Sequence, residues 1–181
     1  MHVAVVYESL FGNTHEIADA VADGIREAQP EAVVECVPVA ETSKDLAEAD
    51  LLVVGGPTHF LGMTSERSRR MQLQFEKSAV EHGGVSHEHE PGAEGEGVRV
   101  WLQALPKGAK GGGAAAFDTR LDNLVAGGAA LRIARSLRRH GYEVVAEPEG
   151  FLVEDIPGPL RKGERVRAKA WGARLVRQPV H

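Results

Sequence analysis

Residues 3–16, VAVVYESLFGNTHE, pass from a short apolar run through a hydroxyl-bearing turn into a helical pattern. Val3-Ala4-Val5-Val6 offers no polar position to either side of a pleat, which suits a strand covered on both faces in a parallel sheet. From Asn13 to Ala28 the period becomes helical. Ile17, Val21, Gly24, Ile25 and Ala28 share one face, opposite Glu16, Asp19, Asp23 and Arg26. Asn13 is the expected N-cap, with Glu16 three residues on completing a capping box. Working outward, Leu51–Val54 is a second continuous apolar run. Ala114-Ala115-Ala116-Phe117 is a third, weaker because alanine has little strand preference. Val33–Val37 and Glu143–Ala146 are interrupted by Glu, as edge strands would be. Ala129–Arg139 is predicted helical with Leu131, Ala134 and Leu137 inward and Gly141 as its stop. Glu164–Arg177 is predicted helical with Val166, Ala170, Ala173 and Leu175 inward. Five strands alternating with helices predict an α/β fold, a doubly wound parallel sheet with helices on both faces.

The 181 residues are 43% hydrophobic and 26% charged, which suits one domain over 1–181. Net charge is -5, and the polar stretch at 80–97 holds five Glu with no Lys or Arg, so the remainder balances. That stretch has no period and reads as an acidic insertion. The Arg67, Arg69, Arg70 cluster is the nearest approach to a basic footprint, which argues against nucleic acid. No window is long and apolar enough for a membrane helix, and Glu8 ends the first apolar run too early for a signal peptide. The single cysteine, Cys36, excludes an internal disulfide framework and a CxxC pair. A cytoplasmic protein is the expectation.

In an open parallel sheet, ligands bind beyond the carboxyl ends of the strands, where strand order reverses. Three turns matter: Glu8–Thr14, Gly56–Met63 and Phe117–Asn123. The first, Ser9-Leu10-Phe11-Gly12-Asn13-Thr14, opens a helix with hydroxyls at both ends and glycine between, a composition suited to a phosphate monoester. The first Lys or Arg is Arg26, so neutral donors would have to hold the anion. Neither a P-loop nor GxGxxG is present, which argues against ATP, GTP or a dinucleotide here. Taken alone, the turn is equally compatible with an ordinary capped helix.

These residues resemble the flavodoxin family. Ser9-Leu10-Phe11-Gly12-Asn13-Thr14 is similar to the Ser-x-aromatic-Gly-Asn-Thr form of its FMN phosphate loop. Gly55-Gly56-Pro57-Thr58-His59-Phe60 resembles the Gly-x-Pro-Thr turn of flavodoxin-like quinone reductases. Gly150-Phe151-Leu152-Val153 followed by Gly158-Pro159-Leu160 and Gly163-Glu164 resembles a recurrent ending of flavodoxin-domain proteins. The resemblance implies sheet order 2-1-3-4-5 with FMN at the switch between the first and third strands. By that carry-over Ser9, Leu10, Phe11, Gly12, Asn13 and Thr14 hold the phosphate. Pro57, Thr58, His59 and Phe60 line one side of the ring, and Phe117, Asp118, Thr119 and Arg120 approach its other side or edge. It also implies a redox partner or a small quinone-like acceptor, and leaves room for a homodimer.

The departures shape the functional expectation. Electron-carrier flavodoxins sandwich the ring between Trp and Tyr amid acidic residues. Here Trp101 and Trp171 fall in helices and read as core, leaving Phe60 and Phe117 for the loops, although Phe117 equally suits a buried strand end. His59, Arg67, Arg69, Arg70 and Arg120 would favour an anionic reduced flavin, hence a higher potential and chemistry nearer two-electron quinone reduction. His59 is the catalytic candidate, as a proton donor, and its plain alternative is packing on the cofactor. Asp118-Thr119-Arg120 reads equally as a salt-bridged brace. His82, His87 and His89 in the insertion are competent metal ligands, but their spacing predicts no metal site. The leading expectation is an FMN-binding electron-transfer protein or oxidoreductase. The alternative is a flavodoxin-like binding or scaffold domain that has lost FMN.

Overall fold

Two periodicities meet in the core. Even-numbered residues of the first strand face one helical layer, odd-numbered residues the other, which is why the run carries no polar position. The computed structural model describes residues 1–43, 46, 48–59, 62–63, 67, 70–71, 74, 97–106, 112–122, 128–155 and 157–177. The strands are β1 (His2–Tyr7), β2 (Val33–Pro38), β3 (Leu51–His59), β4 (Gly62–Met63), β5 (Gly113–Leu121), β6 (Glu143–Val144) and β7 (Glu149–Val153). The α-helices bounded within the described residues are α1 (Asn13–Ala28), α2 (Val98–Ala104), α3 (Ala129–Arg139) and α4 (Glu164–Leu175).

The sheet runs β2-β1-β3-β5-β6, with each of these neighbours parallel. β7 also pairs with β5 in parallel, further along, and β4 returns antiparallel against the end of β3. β6 pairs with Gly113 and Ala114, β7 with Phe117–Leu121, so together they fill the fifth position. The order is the expected 2-1-3-4-5. The break between β6 and β7 falls at 145–148, where Pro148 has no N–H to give the ladder.

On one face Ala4, Val6, Leu52, Val54, Ala114 and Ala116 pack against Val98, Trp101, Leu102, Ile133, Ala134 and Leu137 of α2 and α3. On the other, Val3, Val5, Val53, Ala115 and Phe117 pack against Ile17, Val21, Ile25, Ala168 and Trp171 of α1 and α4. Both tryptophans are core residues, as expected.

Two helix faces differ from expectation. In α4 the buried residues are Ala168, Trp171, Gly172 and Leu175, whereas Val166 and Ala170 face solvent. In α3, Ala134 and Leu137 are buried but Leu131 is 40% exposed. Trp171 and Gly172 set the phase of α4. The indole packs edge-on against Phe117 and Phe151, and Gly172 lets α1 approach closely. A Cβ at Gly172 would lie 2.2 Å from the Val21 carbonyl oxygen, and one at Gly24 would lie 1.9 Å from that of Lys169. The blocking atoms are backbone, so neither helix can yield without moving. Gly24→Ala or Gly172→Ala is therefore expected to destabilise by about 1–3 kcal/mol or more, read as a lower urea midpoint. An unchanged midpoint in both would contradict this packing.

The chain's ending is a lock on β7. Glu164 accepts a hydrogen bond from the Leu152 amide at 2.7 Å. Arg167 bonds Glu149, the Gly150 carbonyl and Glu164, and its guanidinium lies 4.4 Å from the centre of the Phe151 ring. Burial pushes the Glu164 carboxyl upward, but the Arg167 and Leu152 donors outweigh it and hold it below its ordinary range. Among the described residues no helix is long and apolar enough to cross a membrane.

Candidate functional site

β1 delivers the chain into α1 through Glu8–Gly12. Gly12 occupies the N-cap position with φ +89°, a left-handed conformation open to glycine at little strain. The Ser9 hydroxyl accepts the Gly12 amide at 3.1 Å, folding the turn back on itself. Asn13 is the first residue of the helix, which corrects the expected Asn13 N-cap and its capping box with Glu16. The physical reason is a distant partner. The Asn13 side-chain amide donates to the Pro157 carbonyl, and Gly158, at φ +134°, lies against it so closely that a Cβ would come within 2.6 Å of Asn13 Oδ1. Glu16 instead faces Arg165 at 3.9 Å. The Gly12 cap therefore supplies no side-chain acceptor to the first turn of α1.

Directly below, the Thr14 and Thr119 hydroxyls meet at 2.7 Å, both buried. Thr119 thus belongs with the α1 turn, on the same side of the sheet as Phe117. Two hydroxyls in one mutual bond use one proton between them, so the accepting partner retains an O–H to donate.

The opposite face is built differently. Glu8 is buried, and its carboxylate accepts the Val98 amide at the start of α2 at 2.9 Å. Asp118 is fully buried and accepts the Ala130 amide at 2.9 Å and the Thr58 hydroxyl at 3.0 Å on the same oxygen. Thr58 in turn accepts the Ala129 amide at 2.8 Å. The start of α3 is thereby closed by a Thr–Asp pair, an arrangement that satisfies amides a helix leaves open. Gly128 permits it, since a Cβ there would lie 2.1 Å from Asp118 Oδ2. Among the described residues the second Asp118 oxygen, Oδ1, has no hydrogen-bond partner, and Arg120 Nε approaches it at 3.7 Å. Burial pushes the Asp118 carboxyl up, against the pull of the Ala130 amide, Arg120 and Thr58.

The strand ends therefore bring together Ser9, Gly12, Thr14 and Thr119 on one side and Glu8, Thr58 and Asp118 on the other. Leu10 is buried, and Phe11 and Pro57 are half-buried. Arg120 braces the second cluster, covering Gly150 so closely that a Cβ there would meet its guanidinium at 2.4 Å. Of the two readings open for Phe117, its side chain takes the buried strand end. Its side chain is fully buried, edge-on to Phe151 and Trp171, in a space made by Gly55. The His59 side chain, Phe60, Arg69 and the insertion through residue 96 lie outside the described residues, and Arg67 and Arg70 are exposed. Among the described residues no cluster of three or more His, Cys, Asp or Glu could hold a metal. Cys36 is half-buried on β2, its thiol pushed up to about 12 by burial and by Asp19, which leaves it a poor nucleophile.

Glu8 and Gly128 were not among the expected site residues. Glu8 carries a sequence signal, since it continues the even-numbered register of Ala4 and Val6 and so must face the α2 and α3 layer. Gly128 carries none before Asp118 is placed.

The profile described as Flavodoxin matches residues 5–91. A flavodoxin from the domain Archaea superposes with a TM-score of 0.62 at 24% identity, covering 97% of this chain and 96% of that one. The fold is flavodoxin-like. Oxidised flavodoxin 1 from Bacillus cereus shares the fold as well, with a TM-score of 0.65, 19% identity and coverage of 98% and 99%. Among curated proteins, an NAD(P)H dehydrogenase (quinone) of Geobacter sulfurreducens is 27% identical over 125 residues, covering 46% of this chain. A protein of the same description from Geotalea uraniireducens is 27% identical over 124 residues. The chain spans 61% of the length of each of these curated relatives in the match.

Proposed function

We propose that residues 1–181 act as one flavodoxin-like domain in the cytoplasm that binds FMN and serves in electron transfer or as an FMN-dependent oxidoreductase. The observation that carries this reading is the α1 start, which combines a Gly cap without a side-chain acceptor, a feature the Gly163 cap of α4 shares, with the neighbouring Ser9 and Thr14 hydroxyls. Glu8 closes α2, and Thr58 with Asp118 closes α3, while the Gly12 cap of α1 brings no side-chain acceptor and stands beside Ser9 and Thr14. A phosphate monoester fits that start, because backbone amides, the helix dipole and two hydroxyls all favour an anion.

Ser9, Gly12, Asn13 and Thr14 would hold the phosphate, with Leu10 and Phe11 shaping the turn and Thr119 backing Thr14. Pro57, Thr58, His59 and Phe60 would border the ring. FMN, when bound, would supply the transfer of one or two electrons, and the protein its binding and electrostatic tuning. His59 would donate a proton to a reduced quinone-like acceptor. Arg120 lies 3.7 Å from Asp118 Oδ1, so wherever that carboxyl is ionised Arg120 would raise the potential less than an unpaired cation. The activity for which the Geobacter and Geotalea relatives are named supports a quinone or a redox protein as partner, and a homodimer stays compatible with it.

A second reading, a binding domain without FMN, is favoured by Phe117, whose withdrawal into the core removes one of the two aromatics available to cover a flavin. One experiment separates the readings. The purified chain is mixed with FMN, and in parallel with riboflavin, then desalted and its visible spectrum recorded. Retention of FMN flavin bands well above those of riboflavin is expected. A colourless protein after FMN treatment would transfer the assignment to the binding domain.

A further inference from the structure

Opposite the closed start of α3, the helix presents a face that the core does not use. Ile133, Ala134 and Leu137 point inward, and Leu131, Arg132, Arg135, Arg138 and Arg139 are exposed. At 3.6 residues per turn these five positions fall within an arc of about 120°. Among the described residues none of the four guanidinium groups has an ion-pair or hydrogen-bond partner, and neither α2 nor α3 contains a carboxylate. The other layer is the contrast. There Lys169 pairs with Glu27 at 2.5 Å, Arg26 with Asp23 at 3.1 Å and Arg165 with Glu16 at 3.9 Å. One helical layer neutralises its own charge, and among the described residues the other holds four adjacent arginines without compensation.

We propose that the outer face of α3 is a docking surface for a partner protein, taken through a short acidic segment. Guanidinium groups accept carboxylates in paired hydrogen bonds, and unpaired ones keep that capacity for a partner. The shape of the stripe selects the class of anion. It is an 11-residue helix, about 16 Å long. The remainder of the chain holds 17 basic residues against 26 acidic ones. A nucleic-acid duplex or a lipid surface extends beyond such a stripe and would meet that acidic surplus. A membrane also needs apolar insertion, and here the apolar side of the helix is already in the core, leaving Leu131 alone. An acidic helix or loop of a protein matches both the length and the charge, with Leu131 as its apolar contact. Because Thr58 and Asp118 pin the first turn of α3 at the strand ends, the partner would sit beside the candidate site. The proposal does not depend on FMN.

Its test uses the whole chain and a fluorescently labelled poly-glutamate peptide, followed by anisotropy at low and at physiological salt. Salt-sensitive binding is expected, weakened about tenfold or more by Arg135→Glu with Arg138→Glu. The control Arg174→Glu, on the exposed side of α4, should leave it unchanged. Circular dichroism confirms folding of both exposed-site variants. The proposal is overturned by an absence of binding at low salt, by equal loss in the control, or by tighter α3-dependent binding of duplex DNA or phosphatidylglycerol vesicles than of the peptide.

Discussion

Replacing Ser9 and Thr14 together by Ala is expected to weaken FMN retention about a hundredfold while leaving riboflavin retention unchanged. The two flavins differ by the phosphate, so the comparison isolates the α1 turn from the ring contacts. A hydrogen bond to a charged group contributes about 1.5–3 kcal/mol, and the double change removes two hydroxyl donors from a turn without a basic side chain. The remaining backbone amides and the helix dipole account for the affinity that persists. The same change has a structural cost that must be separated from binding. Without Thr14, the buried Thr119 hydroxyl loses its 2.7 Å partner, an effect of about 1–3 kcal/mol. Urea midpoints of the apoprotein measure that loss, and FMN and riboflavin titrations of the folded protein measure the other. Equal weakening of both flavins would mean that the turn acts only through folding, and the phosphate assignment would fall.

Most of the architecture was legible because it rests on local periodicity. The β1 and β3 runs are continuous for the reason that helices cover both faces, and the bounds of α1 and α3 follow from glycine and charge at their ends. What periodicity could not supply was phase and long-range pairing. Val166 looks like a core residue in a window of sequence, yet Trp171 dominates the orientation of α4 and leaves Val166 74% exposed. β7 was hidden inside a recurrent ending, since Gly150 weakens its strand signal and Pro148 separates it from β6.

The site divides along the same line. The hydroxyl turn at Ser9–Thr14 is contiguous and could be read directly. Asn13 has the composition of a cap in its local window, but its partner, Pro157, is 144 residues away. Thr119 and Thr14 are 105 residues apart, and only the crossing of β5 beside α1 brings them together. Asp118 had two open readings, and the bonds to Thr58 and Ala130 favour the brace.

That brace gives a second large effect, on stability and its pH dependence. Asp118→Ala is expected to lower stability by about 2–4 kcal/mol, because it strips the acceptor from the Ala130 amide and the Thr58 hydroxyl and opens a void at a fully buried position. Asp118→Asn keeps an acceptor oxygen and the volume, and its effect lies elsewhere. Burial raises the folded-state pKa of Asp118, so the folded chain keeps a proton that the unfolded chain has released. Stability from this group is full below the unfolded pKa and falls as pH rises through the folded one. The Asn variant has no proton to lose, so its advantage over the parent should grow with pH across that window and then level off. Glu164 works in the opposite sense. Its lowered pKa gives stability above the unfolded value that is lost as pH falls through the folded one. It is present in both proteins and cancels in the difference. Urea midpoints of parent and Asn variant, taken from about pH 4 to about pH 8, make the measurement. Parallel profiles would show that Asp118 stays ionised in the fold, with Arg120 at 3.7 Å sufficient to hold its charge although Oδ1 has no hydrogen-bond partner among the described residues.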